Sequence, residues 1–239
     1  MDTIKISKET TKMVAHRGVS GLELENTCAA FVAAGNRSYW GVETDVHVTA
    51  DGKFIIFHDD ETGRLCSENV RVERTDYDYL RNLQLRQKNG LERTDLRLPS
   101  LEEYLTICKY YGKVCVLELK NPMEEDAVRR IIEICKNVYR LDQMIFISFS
   151  FLNMLYIRKY APTAQAQYLL AEAVTDAHIE AMIENHLDLD VHYLAMSKGL
   201  LDKLHSKGIK VNCWTVDDPE IAERLAGWGV DYITSNILE

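Results

Sequence analysis

The amino-acid sequence predicts an α/β fold: a (β/α)8 TIM barrel with a small insertion after the hairpin that follows strand 2. Eight short apolar runs have strand character, and most are separated by stretches with helical periods of apolar residues. Repeated βα units form parallel sheets, and eight of them close into a barrel of roughly 250 residues; this chain has 239. An open, doubly wound sheet is the alternative, but no Gly-x-Gly-x-x-Gly follows the first strand.

Apolar periodicity and capping residues define the elements in turn. Alternating apolar and polar residues mark strands, and apolar residues at i, i+3, i+4 and i+7 mark helices, as after the capping box of Ser100 and Glu103. Asp218 followed by Pro219 starts the last helix. The predicted order is strand 12–16, helix 27–35, strands 42–48 and 54–57, helix 101–108, strand 114–119, helix 128–135, strand 144–148, helix 151–160, strand 167–170, helix 179–183, strand 189–194, helix 200–208, strand 209–215, a helix after 218 and strand 232–234.

The second and third predicted strands form a hairpin. Only four turn residues separate them, which is too few for a parallel crossover, so the pair is antiparallel. Counting back from the turn pairs Asp45 with Ile56 and Glu43 with His58. Because directly opposed residues share a face of the sheet, this register predicts that His58 returns beside the two carboxylates.

An insertion at about 60–97 interrupts what we expect to be a single domain over residues 1–239. The insertion holds eight acidic and eight basic residues and few apolar periods, so it predicts a solvated segment whose charges cancel. It follows a strand end, and loops at strand ends carry function in barrels. We therefore expect a small lid or cap that alters the choice of substrate more than the chemical step.

The composition excludes several classes of protein. A total of 28 basic and 37 acidic residues gives a formal net charge of −9, whereas nucleic-acid binders usually carry a basic surface. The longest uncharged run, 143–157, is shorter than the roughly 18 residues of a membrane span, and the N-terminus lacks an apolar signal-peptide core. Six scattered cysteines are typical of reduced, mostly buried thiols. We expect a cytoplasmic protein, monomer or homo-oligomer, without nucleic-acid or stable membrane association.

Charged side chains gather at the predicted strand ends. Glu43 and Asp45 lie two residues apart, so their side chains point to the same face, and Glu118 and Lys120 repeat this spacing on the next barrel strand. Two carboxylates on one face repel each other unless a positive charge separates them, and hard cations prefer oxygen ligands. The pattern indicates a divalent-cation site with Glu118 as a third ligand. A solvated strand face and a surface salt bridge are the alternatives.

Four further residues at strand ends carry functional groups. His16 ends the first strand and His58 returns opposite the carboxylates; imidazole suits proton transfer near neutral pH, although a lone histidine is often structural. Arg17 follows His16, and its planar guanidinium suits a phosphate. Trp214 ends the seventh barrel strand, as a flat wall for a substrate or as simple packing. All lie on the rim where barrels of this kind place their active sites.

The same residues carry a resemblance to a known family, in motifs that run in family order from residue 13 to about 236. The motifs are His16-Arg-Gly18, Glu25-Asn-Thr27, Glu43-x-Asp45-Val46, Thr49-x-Asp-Gly52, His58-Asp59, Pro99-x-Leu-Glu102, Leu117-Glu-Leu-Lys120 and Trp214-Thr-Val216. With them the sequence resembles the glycerophosphodiester phosphodiesterase family. Leu24 stands where the family usually has Pro, a departure confined to the loop.

The resemblance implies metal-dependent hydrolysis of small glycerophosphodiesters, such as glycerophosphocholine or glycerophosphoethanolamine, to glycerol 3-phosphate and an alcohol. It also implies the barrel fold and a small insertion after the His58 strand. The implied cofactor is a divalent metal ion, Mg²⁺ or Ca²⁺, with Mn²⁺ as a further candidate. The implied roles are general acid and base for His16 and His58, metal ligands for Glu43, Asp45 and Glu118, phosphate binding for Arg17 and Lys120, and a pocket wall for Trp214.

Two other functions are alternatives. A related lysophospholipase D or phospholipase C-like phosphodiesterase acting on lipids needs an apolar rim around the barrel mouth. The balanced charges of the insertion argue against it, and little besides Trp214 on the predicted rim is large and apolar. A non-catalytic binding barrel would have a broken site, whereas both histidines and all three acids are present.

Overall fold

The structure, a computed structural model, describes residues 2–87 and 92–239. Its regular elements alternate between strands and helices for most of the chain. In chain order they are β1 (Lys12–Ala15), α1 (Cys28–Gly35), β2 (Gly41–Val48), β3 (Phe54–Ile56), α2 (Tyr77–Arg81), β4 (Leu85–Arg86), β5 (Glu92–Arg93), α3 (Leu101–Tyr111), β6 (Val114–Leu119), α4 (Glu125–Val138), β7 (Met144–Ser148), α5 (Phe151–Tyr160), β8 (Gln165–Leu170), α6 (Asp176–Glu184), β9 (Asp188–His192), α7 (Lys198–Ser206), β10 (Val211–Trp214), α8 (Pro219–Trp228) and β11 (Tyr232–Ser235).

Eight parallel strands within these residues close into a barrel. Their order is β1, β2, β6, β7, β8, β9, β10 and β11, and the pairing of β11 with β1 completes the ring. Helix α1 connects β1 to β2, and one helix follows each strand from β6 to β10. The predicted (β/α)8 barrel is therefore confirmed, and each predicted strand and helix is present with bounds that differ by a few residues.

The helices pack on the outside of the barrel through apolar stripes. Helix α3 is an example. It begins at the predicted capping box, in which the Ser100 hydroxyl accepts a hydrogen bond from the Glu103 N–H. In residues 2–87 and 92–239, no helix combines the length and the apolar character of a bilayer-spanning segment. The buried stripe of α3 is the one that the sequence predicts, with Leu101, Tyr104, Leu105 and Cys108.

The inside of the barrel changes from apolar to polar along its axis. Buried apolar side chains that include Val14, Val116 and Ile145 fill the interior toward the amino ends of the strands. Farther along β2 and β6, Asp45 and Glu118 are paired in the strand register. Acidic side chains therefore converge at the carboxyl ends of the strands, which is where barrels of this class bind their ligands.

The hairpin of β2 and β3 is antiparallel as predicted, but its predicted register is wrong by one residue. Val46 lies opposite Ile56, where the sequence predicts Asp45, because the turn holds five residues instead of four. Gly52 adopts a positive φ of 72°, which allows the longer turn. His58 nevertheless lines the site, because it lies beyond the regular pairing: β3 ends at Ile56, and the Phe57 N–H makes one more bond to the Asp45 carbonyl at 3.1 Å.

The insertion between β3 and α3 contains a small hydrophobic core that the sequence does not predict. Leu65, Val72 and Leu80 are buried there against Phe57 and Leu24. The prediction of a solvated segment is therefore wrong for these residues. Their spacing follows turns and short helical segments, so it shows neither a helical nor a strand period. The charged residues of the insertion form ion pairs with one another and with the barrel.

Replacing Leu80 by Ala should lower the free energy of unfolding by about 2–5 kcal/mol, because a buried leucine leaves a cavity that the insertion core only partly fills. Urea unfolding measures this loss. Leu194→Ala is the matched control, since Leu194 is 75% exposed and its truncation should change stability by less than about 0.5 kcal/mol. Equal losses in the two variants would contradict a stabilising role for the insertion core.

Candidate active site

The carboxyl end of the barrel brings all eight predicted site residues together. Asp45 lies 3.7 Å from the Arg17 Nε, just below the cavity, and the Lys120 ammonium lies 2.8 Å from Glu118. These side chains lie on or directly after β1, β2, β3, β6 and β10, so barrel closure is what unites them. Asp45 and Lys120 contact this group from beside the cavity. The remaining six residues line one cavity together and are His16, Arg17, Glu43, His58, Glu118 and Trp214.

Three carboxylates form the centre of the site. One oxygen from each of Glu43, Asp45 and Glu118 lies within 4.8 Å of the other two, and all three side chains are buried. Burial and the neighbouring Asp45 charge raise the pKa of Glu118 to about 8. The same two causes raise the pKa of Glu43 well above its usual value. A bound cation would therefore stabilise the cluster by offsetting the repulsion among its carboxylates.

Basic side chains offset part of this negative charge. The Lys120 ammonium lies 3.5 Å from an Asp45 oxygen, and Arg17 approaches the other oxygen of the same carboxylate. Burial alone would raise the pKa of Asp45, but Lys120 and Arg17 hold it below its usual value. Asn26 also donates to Asp45 Oδ2 at 2.8 Å. The Asp45 carboxylate is therefore ionised and fixed in orientation.

The donor set fits a divalent cation. Asp45 Oδ1 is buried and accepts no hydrogen bond among the described residues, and the Lys120 ammonium lies 3.5 Å from it, so this oxygen can take a further ligand. Hard divalent ions prefer carboxylate oxygens, and three carboxylates leave coordination positions for water or substrate. Glu43, Asp45 and Glu118 are therefore suited to hold such an ion.

The turn after β1 aims Arg17 into the site. His16 and Arg17 are adjacent, and on a regular strand their side chains would point apart. Arg17 instead adopts a positive φ of 53°, and its N–H donates to Glu43 at 2.7 Å. Gly18 follows with a φ of 72°, and a Cβ there would lie 2.6 Å from the Ala30 Cβ. The His-Arg-Gly order therefore has a steric cause.

His16 is held by hydrogen bonds from the end of the last strand. Its Nδ1 lies 2.7 Å from the Asn236 Oδ1, and the Asn236 amide donates to Asp217 at 2.6 Å. Because an amide oxygen only accepts, the neutral imidazole carries its proton on Nδ1 and leaves Nε2 as an acceptor. Burial, reinforced by the Arg17 charge, lowers the pKa of His16 to about 4. The ring is therefore neutral at pH 7 and able to accept a proton.

His58 is held by a carboxylate instead. Its Nδ1 lies 2.7 Å from Asp59 Oδ1, so Nδ1 donates and Nε2 is free. Burial lowers the pKa of His58, and the Lys120 and Arg17 charges lower it further, whereas the Asp45 charge and the Asp59 hydrogen bond partly counteract this effect. Asp59 in turn accepts at 2.6 Å from Arg64, a residue of the insertion. The two histidines therefore have different electrostatic surroundings.

Aromatic rings form one wall of the cavity. Trp214 packs edge to face against Phe149 and His192, with ring centroids 5.8 and 5.3 Å away. Phe149 is 47% exposed, and Leu194 in the loop after β9 is 75% exposed. The expectation that little besides Trp214 on the rim is large and apolar is therefore wrong. The loops after β7 and β9 supply this apolar surface.

Several functional groups of the site escape sequence reasoning. Asp190 on β9 lines the same cavity, is buried, and accepts from Asn212 at 2.8 Å. Burial raises the pKa of Asp190 to about 7. Asn26 and Asn236 orient site side chains from loops, where no periodicity marks them. The position of Asn26 inside the Glu-Asn-Thr motif is the one sequence signal that points to it.

A wider groove adjoins the cavity at His16 and Arg17. Its volume is about 760 Å³, and acidic residues that include Glu23, Glu25 and Asp217 contribute to its lining. The linings of the two spaces have His16 and Arg17 in common.

Comparison with known families decides the assignment. The model of the glycerophosphoryl diester phosphodiesterase family matches residues 16–238, which is most of the chain. The chain belongs to this family. The enzyme class that the sequence resemblance implies, a phosphoric diester hydrolase, is therefore confirmed.

Individual phosphodiesterases are similar to this chain over nearly its whole length. A glycerophosphodiester phosphodiesterase from Caldanaerobacter subterraneus subsp. tengcongensis is 27% identical over 233 residues, which is 95% of this chain and 94% of that protein. The structure of an Oleispira antarctica phosphodiesterase in complex with the product sn-glycerol-3-phosphate matches with a TM-score of 0.89 and 27% identity, covering 95% and 94% of the two chains. A glycerophosphodiester phosphodiesterase from Parabacteroides distasonis matches with a TM-score of 0.81 and 28% identity, covering 96% and 94%.

Divalent-metal binding to this phosphodiesterase should strengthen between about pH 6 and pH 8. The raised pKa values of Glu118 and Glu43 mean that the metal-free site holds protons, which a cation must displace. The increase in Tm caused by Mg²⁺ or Ca²⁺ should therefore be larger at the higher pH, and calorimetry in buffers of different ionisation enthalpy should detect proton release. Glu118→Gln should bind metal more weakly and release fewer protons. Affinity independent of pH would contradict this account.

Proposed function

We propose that this protein uses a divalent metal ion, Mg²⁺, Ca²⁺ or Mn²⁺, to hydrolyse small glycerophosphodiesters such as glycerophosphocholine or glycerophosphoethanolamine. The products would be glycerol 3-phosphate and an alcohol. The observation that carries this proposal is the convergence of three buried carboxylates, two basic side chains and two histidines at one barrel mouth. Family membership supports the reaction class, and the O. antarctica complex with sn-glycerol-3-phosphate supports the product.

Charge matching supports a phosphodiester as the ligand. The three carboxylates carry three negative charges, and a divalent ion together with Arg17 and Lys120 exceeds them by one positive charge. A phosphodiester monoanion would therefore make the occupied site neutral. The ion, held by Glu43, Asp45 and Glu118, would supply Lewis-acid stabilisation of the charge that develops on the phosphoryl oxygens. Arg17 and Lys120 would hold the phosphate and stabilise the same charge by hydrogen bonds.

Proton transfer is assigned to the two histidines. Each ring uses Nδ1 to bind a partner, Asn236 for His16 and Asp59 for His58, and so keeps Nε2 for the substrate. Because His16 is neutral and bound to an uncharged amide, it suits the general base that removes the proton of the attacking group, which is water or the substrate's own neighbouring hydroxyl. The Asp59 carboxylate favours the imidazolium form of His58, which suits the general acid that protonates the leaving alcohol.

We further assign residues 1–239 to a single barrel domain that works in the cytoplasm. The insertion core packs against Ile55 of β3, which ties it to the barrel. The six cysteines all lie in the described residues; they are unpaired, and five are buried, a pattern that suits a reducing compartment. A net charge of −9 disfavours a nucleic-acid partner.

A lipid-directed phosphodiesterase, of the lysophospholipase D or phospholipase C type, is the second candidate because the rim is partly apolar. Phe149, which packs against Trp214, and Leu194, in the loop after β9, are exposed, and an acyl chain that left the cavity past Trp214 would lie near Phe149. The wider groove on the other side of Arg17 is lined largely by polar side chains. The polar groove favours the small diesters.

Hydrolysis of matched substrates tests both candidates. We expect a higher kcat/KM for glycerophosphocholine than for lysophosphatidylcholine, and we expect a chelator to abolish activity until Mg²⁺, Ca²⁺ or Mn²⁺ is restored. Asp45→Asn should lose metal binding and activity but keep its fold. Phe149→Ser is the matched rim variant and should affect the lipid substrate alone. A preference of about tenfold or more for lysophosphatidylcholine would establish the lipid-directed function; full activity in metal-free enzyme would refute metal dependence.

Replacing either histidine by Ala should lower kcat by about 10²- to 10⁴-fold, the usual cost of losing a general acid or base. The parent should have a bell-shaped pH–rate profile, because His16 must be deprotonated and His58 protonated, and each variant should lose one limb. His205→Ala is the control, since this ring on α7 is bound to Asp231 away from the cavity. A variant with parental kcat and parental thermal stability would identify its histidine as structural.

A further inference from the structure

A chain of alternating charges runs along one wall of the site. The Arg17 guanidinium donates to Glu25 at 2.7 Å, and Arg64 donates to the two oxygens of Glu25 at 2.7 and 2.8 Å. Arg64 also donates to both oxygens of Asp59, at 2.6 and 3.1 Å. Asp59 accepts from the His58 ring at 2.7 Å. The chain therefore joins the proposed phosphate-binding arginine to one of the proposed proton-transfer groups.

Arg64 lies at the centre of this chain and belongs to the insertion. A guanidinium presents five N–H donors in one plane, so it binds two carboxylates at once, which the compact ammonium of a lysine does less well. Burial would raise the pKa of Glu25, but Arg64 and Arg17 lower it to about 2. Glu25 is therefore anionic at neutral pH. Without Arg64, the Glu25 and Asp59 carboxylates would lose the cation that holds them together.

We propose that Arg64 is a positioning residue that fixes His58 through Asp59 and Arg17 through Glu25. The inference rests on the proposed function, because it assumes that these two side chains act on the substrate. It gives the insertion a second role. The sequence predicts that this segment alters substrate choice more than the chemical step, whereas Arg64 makes the chemical step depend on the insertion as well.

Arg64→Gln tests the proposal with Arg71→Gln as its matched control. Arg71 belongs to the same insertion and pairs with Glu61, but its side chain is 60% exposed and contacts no residue of the site. Arg64→Gln should lower kcat/KM for glycerophosphocholine by about 10- to 100-fold, the cost of small misplacements of reacting groups. Its kcat should fall through His58 and its KM should rise through Arg17. Metal affinity should stay parental, because Arg64 contacts none of the three clustered carboxylates.

A double-mutant cycle separates positioning from general destabilisation. If Arg64 acts on His58 through Asp59, the kcat losses of Arg64→Gln and Asp59→Asn should be less than additive in the double variant. Arg64→Lys keeps the charge but loses the planar fork, so its kcat should lie between those of the parent and Arg64→Gln. It also serves as the second variant if Arg64→Gln fails to fold. Additive losses would overturn the proposed coupling.

The titration of His58 by NMR gives a readout that does not depend on activity. With Mg²⁺ present, Arg64→Gln should raise the pKa of His58, because the Asp59 charge then acts on the imidazole without its cationic partner; Arg71→Gln should leave it unchanged. Parental kcat and an unchanged His58 titration in Arg64→Gln would overturn the inference. A parent enzyme that hydrolyses no glycerophosphodiester would refute the proposed function instead, and the His58 titration would still decide whether Arg64 acts on the ring through Asp59.

Discussion

Three buried carboxylates at the ends of two neighbouring strands determine how the catalytic end of this barrel is built. Burying several like charges costs several kcal/mol for each ion unless partners compensate them. The surrounding chain supplies such partners in the Lys120 ammonium, the Arg17 guanidinium and the Asn26 amide. The left-handed backbone at Arg17 follows from the same requirement, since it turns both the N–H and the side chain of this residue toward the acids.

The two histidines illustrate how one barrel rim creates two chemical environments. His16 is bound to a neutral amide and lies beside the Arg17 cation, so its surroundings oppose a positive charge on the ring. His58 is bound to a carboxylate, and this hydrogen bond partly offsets the lowering of its pKa by burial and by the Lys120 and Arg17 charges. The difference comes from the loops and not from the strands. Loop residues therefore give the two rings different electrostatic surroundings in a fold whose strands are common to many enzymes.

Much of this architecture is predictable from the sequence, for a physical reason. A strand side chain is fixed by a period of two, so Glu43 and Asp45 share a face wherever the strand begins, and the repeated βα units require a parallel barrel. The hairpin register depended instead on the length of one turn, which sequence spacing does not fix. The core of the insertion and the contact of Asn236 with His16 are tertiary interactions. They involve irregular segments and residues far apart in the chain, so no periodic pattern in the sequence predicts them.

The hydrogen bond between His16 and Asn236 joins the first and last strands of the ring, across a sequence separation of 220 residues. During folding, such a contact forms only after nearly the whole chain has been brought together, and contacts of this kind slow folding. The acidic cluster lies on β2 and β6, which are neighbours in the ring, whereas the His16 ring has its anchor only when the last strand is in place. Under the role proposed for His16, activity therefore requires closure of the ring in addition to a complete acidic cluster.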